Sequence, residues 1–257
     1  MKINWIIEEK DVRQIKEFLI SQSGKSFVKN RITKNVKGPA NLDFNKDTFW
    51  NAMISCLLTT QQHSGPESFV TRFICINPFS LNLNKCAEET KLNEFVENTI
   101  TKFGGLRRGK TIGEEVLYNF TWLNNGGWHE IQSITHVLIE MRKKSPKFDH
   151  KFIERRAADV AIDNLKGFGP KQSRNLWQSL GFTRYEIPID SRITKWFNEF
   201  GFPVNLSSGS LSDKNYYNFV MDGIQEVCKV SDVYPCVLDA AIFASFDQEW
   251  SEDKLIW

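Results

Sequence analysis

Apolar residues recur along most of the chain at the three-to-four-residue spacing of a buried helix face. Residues 10–22 (KDVRQIKEFLISQ) bring Val12, Ile15, Phe18 and Leu19 to one side. Residues 47–60 (DTFWNAMISCLLTT) do the same with Phe49, Met53 and Leu57, behind Asp47 as a helix cap. Further helices are predicted over 64–74, 87–102, 111–123, 129–143, 153–164, 170–180, 191–200, 213–228 and 234–247. No stretch shows sustained alternation between hairpin turns, so the pattern predicts an all-α fold. Two segments break the rhythm: 203–213 (PVNLSSGSLSD), read as a surface loop, and 29–46 (KNRITKNVKGPANLDFNK).

The 257 residues suffice for one large domain or two lobes sharing a cleft. Hydrophobic residues make up 41% and charged residues 25%, a globular rather than a disordered composition. Net charge is only +2, so affinity for a polyanion must come from local asymmetry. Such asymmetry exists. Residues 141–174 carry ten Lys/Arg against four Asp/Glu, and residues 213–257 three Lys against nine Asp/Glu. No run is long and apolar enough to span a membrane, and MKINWIIEEK has no signal-peptide core. Five scattered cysteines and no C-x-x-C pair predict reduced thiols in a cytoplasmic protein and exclude a zinc ribbon.

The most informative chemistry lies inside the basic stretch. Residues 165–171 read Leu165-Lys166-Gly167-Phe168-Gly169-Pro170-Lys171 between two predicted helices. Glycine permits positive φ and close backbone approach, and proline suits the first helical position. The N–H groups of Gly169, Lys171 and Gln172 would then face outward at a helix N-terminus, a phosphate site by geometry and dipole. Lys166 and Arg174 could add charge there. A glycine-capped turn between packed helices is the plainer reading of the same residues.

Nineteen residues after Lys171 comes Ile187-Pro188-Ile189-Asp190-Ser191-Arg192, leading into the amphipathic stretch ITKWFNEFG. Together, residues 164–197 resemble the helix-hairpin-helix DNA glycosylase superfamily, which includes endonuclease III and the 8-oxoguanine glycosylases. The archaeal-type 8-oxoguanine enzymes look most similar. Leu57–Ser64 (LLTTQQHS) and Gly104–Lys110 (GGLRRGK) are similar to further stretches of the superfamily, and the resemblance spans about residues 47–247. It implies two helical lobes around a DNA-binding cleft, with an N-terminal extension at 1–45, a core at 46–247 holding the hairpin at 153–180, and a tail at 248–257.

The resemblance also implies roles. Lys171 would be the Schiff-base nucleophile of a glycosylase with lyase activity, and Asp190 the carboxylate beside the developing sugar cation. Lys166, Gly167, Gly169, Gln172, Arg174 and Gln61 would contact DNA, Gln61 by filling the gap left by a flipped base. The carbonyls of Leu165 and Phe168 would hold a structural monovalent cation. No cofactor is otherwise implied. Cys228 and Cys236 alone cannot form the superfamily's iron–sulfur loop. Asp190 could instead be only a helix cap, and Lys171 only a phosphate contact. Trp177, Trp196, Phe197, Trp250 and Trp257 are candidates to stack on a base, with core packing the competing reading. Ser191-Arg192 departs from the Arg-His or Thr-His of relatives, and Lys254 is the nearest residue to the terminal lysine some of them use. The implied partner is lesion-containing double-stranded DNA, bound by a monomer, with an oxidised purine as first substrate. A monofunctional enzyme for alkylated bases and a non-catalytic DNA-binding module are the alternatives.

Overall fold

The computed structural model describes residues 4–38, 44–144 and 150–246, and among them it contains helices and no strand. The chain crosses between two lobes. It begins in one with α1 (Glu9–Gln22) and α2 (Ser26–Arg31), the latter running on as a π-helical turn at Ile32–Val36. It then builds the other from α3 (Lys46–Leu58), α4 (Phe69–Ile74), α5 (Leu83–Glu88), α6 (Leu92–Phe103), α7 (Gly109–Trp122), α8 (Trp128–Lys143), α9 (His150–Asn164) and α10 (Pro170–Ser179). It returns with α11 (Ser191–Phe200), α12 (Lys214–Val230) and α13 (Pro235–Phe246).

Each lobe has its own apolar core. Phe49, Trp50, Leu57, Val96, Ile112 and Trp177 belong to the core of α3 to α10. Ile15 joins Ile193, Phe197, Tyr217, Ile224 and Ile242 in the other. The segment expected to be an N-terminal extension is therefore part of the second lobe. Phe27 and Val28 of α2 pack on Ala240, Ala241 and Ala244 of α13. Its far end is tied across the molecule: Arg142 Nη1 donates to the carbonyls of Asn35 at 2.9 Å and Gly181 at 2.6 Å.

Several predicted boundaries shift for local reasons. Asn45, not Asp47, caps α3, its Oδ1 accepting from Thr48 N–H at 2.8 Å. The helix expected from residue 64 starts at Phe69, because Ser68 supplies the cap and accepts from Thr71 N–H at 3.1 Å. The helix expected over 87–102 divides into α5 and α6 around Glu89, which is extended. The 203–213 loop holds only a short 3-10 turn at Ser210–Ser212.

Glu186, fully buried, ties the lobes together electrostatically. Its carboxylate accepts from Arg174 Nε at 2.6 Å, Arg155 Nε at 2.9 Å and Gln225 Nε2 at 2.9 Å. Beside it, Glu154 accepts three successive backbone N–H groups, of Arg184, Tyr185 and Glu186, at 2.7–2.9 Å. These bonds fix the extended segment that crosses between the lobes and leads directly to Asp190.

Candidate active site

The hairpin turn joins α9 to α10. Gly167 adopts φ +89°, a conformation that disfavours any side chain, and a Cβ there would lie 2.6 Å from Leu57 Cδ2 and 2.8 Å from Glu115 Cδ. Gly169 differs from expectation: it is extended at φ −95°, and its value is the open space around it, with nothing within 4 Å of a built Cβ. From α7, Asn119 braces the turn, Oδ1 accepting from Lys166 N–H at 2.7 Å and Nδ2 donating to the Lys166 carbonyl at 3.1 Å.

Pro170 opens α10, and Ser173 N–H makes the first helical bond, to the Gly169 carbonyl at 3.1 Å. The N–H groups of Lys171 and Gln172 precede that first donor and have no acceptor within the helix, as at any helix N-terminus. The Gln172 side chain, however, turns inward and donates to the Cys56 carbonyl at 2.8 Å and Thr60 Oγ1 at 2.7 Å. Only its backbone can face a ligand.

Asp190 caps α11 through Oδ1, which accepts from Arg192 N–H at 2.9 Å and Ile193 N–H at 3.0 Å. Its Oδ2 pairs with Arg192 Nη1 at 3.2 Å. Lys171 and Asp190 line the same cleft, of about 940 Å³, together with Gly167 and Gly169. The opposite wall is the loop after α3, where Gln61 stands exposed in a left-handed conformation at φ 57°. That loop is clipped to the 104–108 segment: Arg107 Nη2 donates to the Gln61 carbonyl at 2.9 Å, and Gln62 Oε1 accepts from Arg107 N–H at 2.7 Å. Behind Lys171, burial pushes the Cys56 thiol up to about 12, with the Lys171 charge pulling the other way. That thiol is not a nucleophile at neutral pH.

The structure corrects the expectation for Arg174 and for three of the aromatic candidates. Arg174 does not reach a phosphate: it is fully buried, held by Glu186, by Asn218 Oδ1 at 2.7 Å and by the Pro170 carbonyl at 3.0 Å. Its guanidinium lies 4.5 Å from the Tyr217 ring centroid. Lys166 stands exposed beside the cleft, its Nζ 6.0 Å from the Tyr118 ring centroid. Three aromatic candidates pack inside the protein instead: Trp177 and Phe197 are fully buried in the two cores, and Trp196 stacks on Phe200. Trp250, Trp257 and Lys254 lie outside the described residues. Leu165 and Phe168 bury their side chains in the first core, and the Leu165 carbonyl accepts Phe168 N–H at a long 3.4 Å. Cys228 and Cys236 are buried free thiols of the second core.

The sequence reading missed an inner recess. Arg31, Phe27, Asp239 and Phe243 form it with Gln178, directly behind Lys171 and Asp190. Burial lifts the Asp239 carboxyl to about 7, opposed by Arg31. The sole readable signal was Asp239 and Phe243 four apart, one face of a helix.

Neither a family sequence model nor a curated protein matches the chain. Its structure is similar to the crystal structure of the Methanocaldococcus jannaschii 8-oxoguanine DNA glycosylase, with a TM-score of 0.62 at 15% identity. The fold is that of a helix-hairpin-helix DNA glycosylase. The match covers 95% of this chain and 98% of that one. Among the described residues no helix is long and apolar enough to cross a membrane.

Proposed function

We propose that this protein is a DNA glycosylase with associated lyase activity, acting as a monomer on a damaged or modified base in double-stranded DNA, an oxidised purine such as 8-oxoguanine first. The observation that supports this most is the meeting of Lys171 and Asp190 in one cleft beside the hairpin. Backbone binding alone needs neither group there.

The hairpin grips the bent backbone through the α10 N-terminus without reading sequence. The flipped nucleotide enters the cleft, with Gln61 and Arg107 at its mouth to fill the vacated stack. As the C1′–N bond breaks, its electron pair leaves with the base, which takes a proton. The Asp190 carboxylate stabilises the positive charge on the sugar. The neutral amine of Lys171 bonds to C1′ and gives up a proton, and the C1′–O4′ bond then breaks, with O4′ taking a proton, to leave the protonated imine. Loss of a C2′ proton then expels the 3′ phosphate, and water hydrolyses the imine to free Lys171. A monovalent cation on the Leu165 and Phe168 carbonyls would add charge beneath a phosphate. The Leu165 oxygen keeps a lone pair for it beside its one long hydrogen bond.

Borohydride trapping on duplexes carrying 8-oxoguanine, an oxidised pyrimidine, uracil, an alkylated purine or an abasic site tests this reading. A covalent complex on one lesion, lost in Lys171→Gln, is the expected result. Base release without trapping would leave a monofunctional enzyme. Neither release nor trapping on any duplex would leave a DNA-binding module and overturn the proposal.

A further inference from the structure

We infer that Arg31 is a specificity-determining residue: with Asp239 it reads a lactam edge, a carbonyl beside a ring N–H, on the base drawn into the cleft. This rests on the glycosylase reading above and goes beyond it by naming what the site reads.

The recess behind the cleft holds about 50 Å³ and shares Thr59, Ser64, Lys171, Asp190 and Arg192 with the cleft lining. It is too small for a whole nucleobase and large enough for one edge of it. Arg31 lines it, 4% exposed, yet Nε and Nη1 have no hydrogen-bond partner among the described residues. Its charge is only loosely compensated, with Nη2 at 3.9 Å from Asp239 Oδ2, outside hydrogen-bond range. Buried charged donors without acceptors are expensive, so an arrangement of this kind is understandable where a ligand completes it. The Arg31 guanidinium lies 5.6 Å from the Phe27 ring centroid, a contact that offers no hydrogen-bond acceptor, and the anchoring contacts of α2 to α13 are made by Phe27 and Val28.

The pair also defines what fits. A guanidinium only donates, and a carboxylate only accepts. Side by side they match a carbonyl oxygen next to an N–H. An oxidised purine carries this pair at O8 and N7–H, where unmodified guanine has a C–H next to a bare acceptor that would face Asp239. Uracil, thymine, hypoxanthine and guanine itself carry the pair on the six-membered ring, so selectivity for the oxidised purine requires that it enter by its five-membered-ring edge. Adenine and 3-methyladenine lack it.

The test uses the full chain and two readouts. One is single-turnover base excision on 8-oxoguanine, uracil, hypoxanthine and 3-methyladenine duplexes. The other is affinity for a duplex with a tetrahydrofuran abasic analogue, which has no base to read. For Arg31→Met and Arg31→Lys, excision of the preferred lactam base should fall about 10- to 100-fold, the range of a two-point base contact. Abasic-duplex affinity should stay within about twofold. Asp239→Asn adds a donor, so it should narrow the preference for N–H-bearing bases. If Arg31→Met does not fold, Arg31→Lys decides, since it keeps the charge and loses the two-donor edge. Equal losses in both readouts, or unchanged excision, would overturn the inference while leaving the glycosylase reading intact. A wild-type protein that excises no base would instead sink the glycosylase reading itself.

Discussion

Arg174 separates a structural account of the hairpin helix from an electrostatic one. Its sequence position suggests a phosphate contact, while its side chain is fully buried between the lobes. Arg174→Met keeps side-chain length and removes the charge. Glu186 then loses its 2.6 Å partner on Oε2 but keeps Arg155 and Gln225 on Oε1. Asn218 and the Pro170 carbonyl lose donors as well. Breaking a buried ion pair from one side costs about 3–5 kcal/mol. Domains commonly hold about 5–15 kcal/mol in total, so the variant should fold with little margin. Taking a urea m-value of about 3 kcal/mol/M, the midpoint falls by at least about 1 M. Equilibrium urea unfolding by circular dichroism measures this, and salt-dependent binding to an undamaged duplex supplies the contrast. If stability fell by less than about 1 kcal/mol while DNA affinity dropped, Arg174 would be a phosphate contact and the buried network would be misread.

Gly167→Ala should weaken binding to every duplex alike, because the added Cβ meets Leu57 and Glu115 and the φ of +89° costs about 1–2 kcal/mol; fluorescence anisotropy on matched and lesion duplexes checks it, and an altered base preference would contradict the anchor role. Burial raises the carboxyls of Glu154 and Asp239 to about 7, far above the roughly 4 of unfolded chains. Folded carboxyls with raised values favour the native state at low pH, so this contribution is complete below about 4 and is lost as pH rises through 7. The Tm should therefore climb from pH 8 to pH 5, with a shallower climb in Asp239→Asn; a falling Tm would refute the assignment. Arg107 and Lys171 in the cleft and Lys166 beside the hairpin are the cations placed nearest the anchored backbone, so log K against log salt should have a slope near −3, and a slope near −9 would mean that the whole basic stretch faces DNA.

What could be read from the sequence is what local chemistry dictates. The hairpin was legible because a turn with φ +89° needs glycine and because proline suits a first helical position. Asp190 was legible for the same reason, since an N-cap carboxylate bonds the N–H groups two and three residues on. Helix α2 was not: its run SFVKNR carries one apolar pair, and only α13, over 200 residues away, shows why Phe27 and Val28 are buried. Arg31 was hidden with it, because no periodicity marks a charged residue that turns into a recess shared with α13 and α10.

The basic stretch shows how charge can mislead when counted along the chain. Ten cations between 141 and 174 looked like a face for a polyanion. Arg142 is instead consumed by the carbonyls of Asn35 and Gly181, and Arg155 and Arg174 by Glu186. Lys151 is buried within 3.9 Å of Asp222 and Glu226. Helical spacing held a hint: Pro170, Arg174 and Trp177 fall on one face of α10, and the flanking pair is buried. A cation between buried neighbours one turn away either finds an internal acid or destabilises the fold. Here it finds Glu186, and the lobes are fixed to each other by the residues that seemed available for DNA. The grip on a phosphate then falls to the backbone donors of α10 beside Gly167, which need no side-chain charge to act.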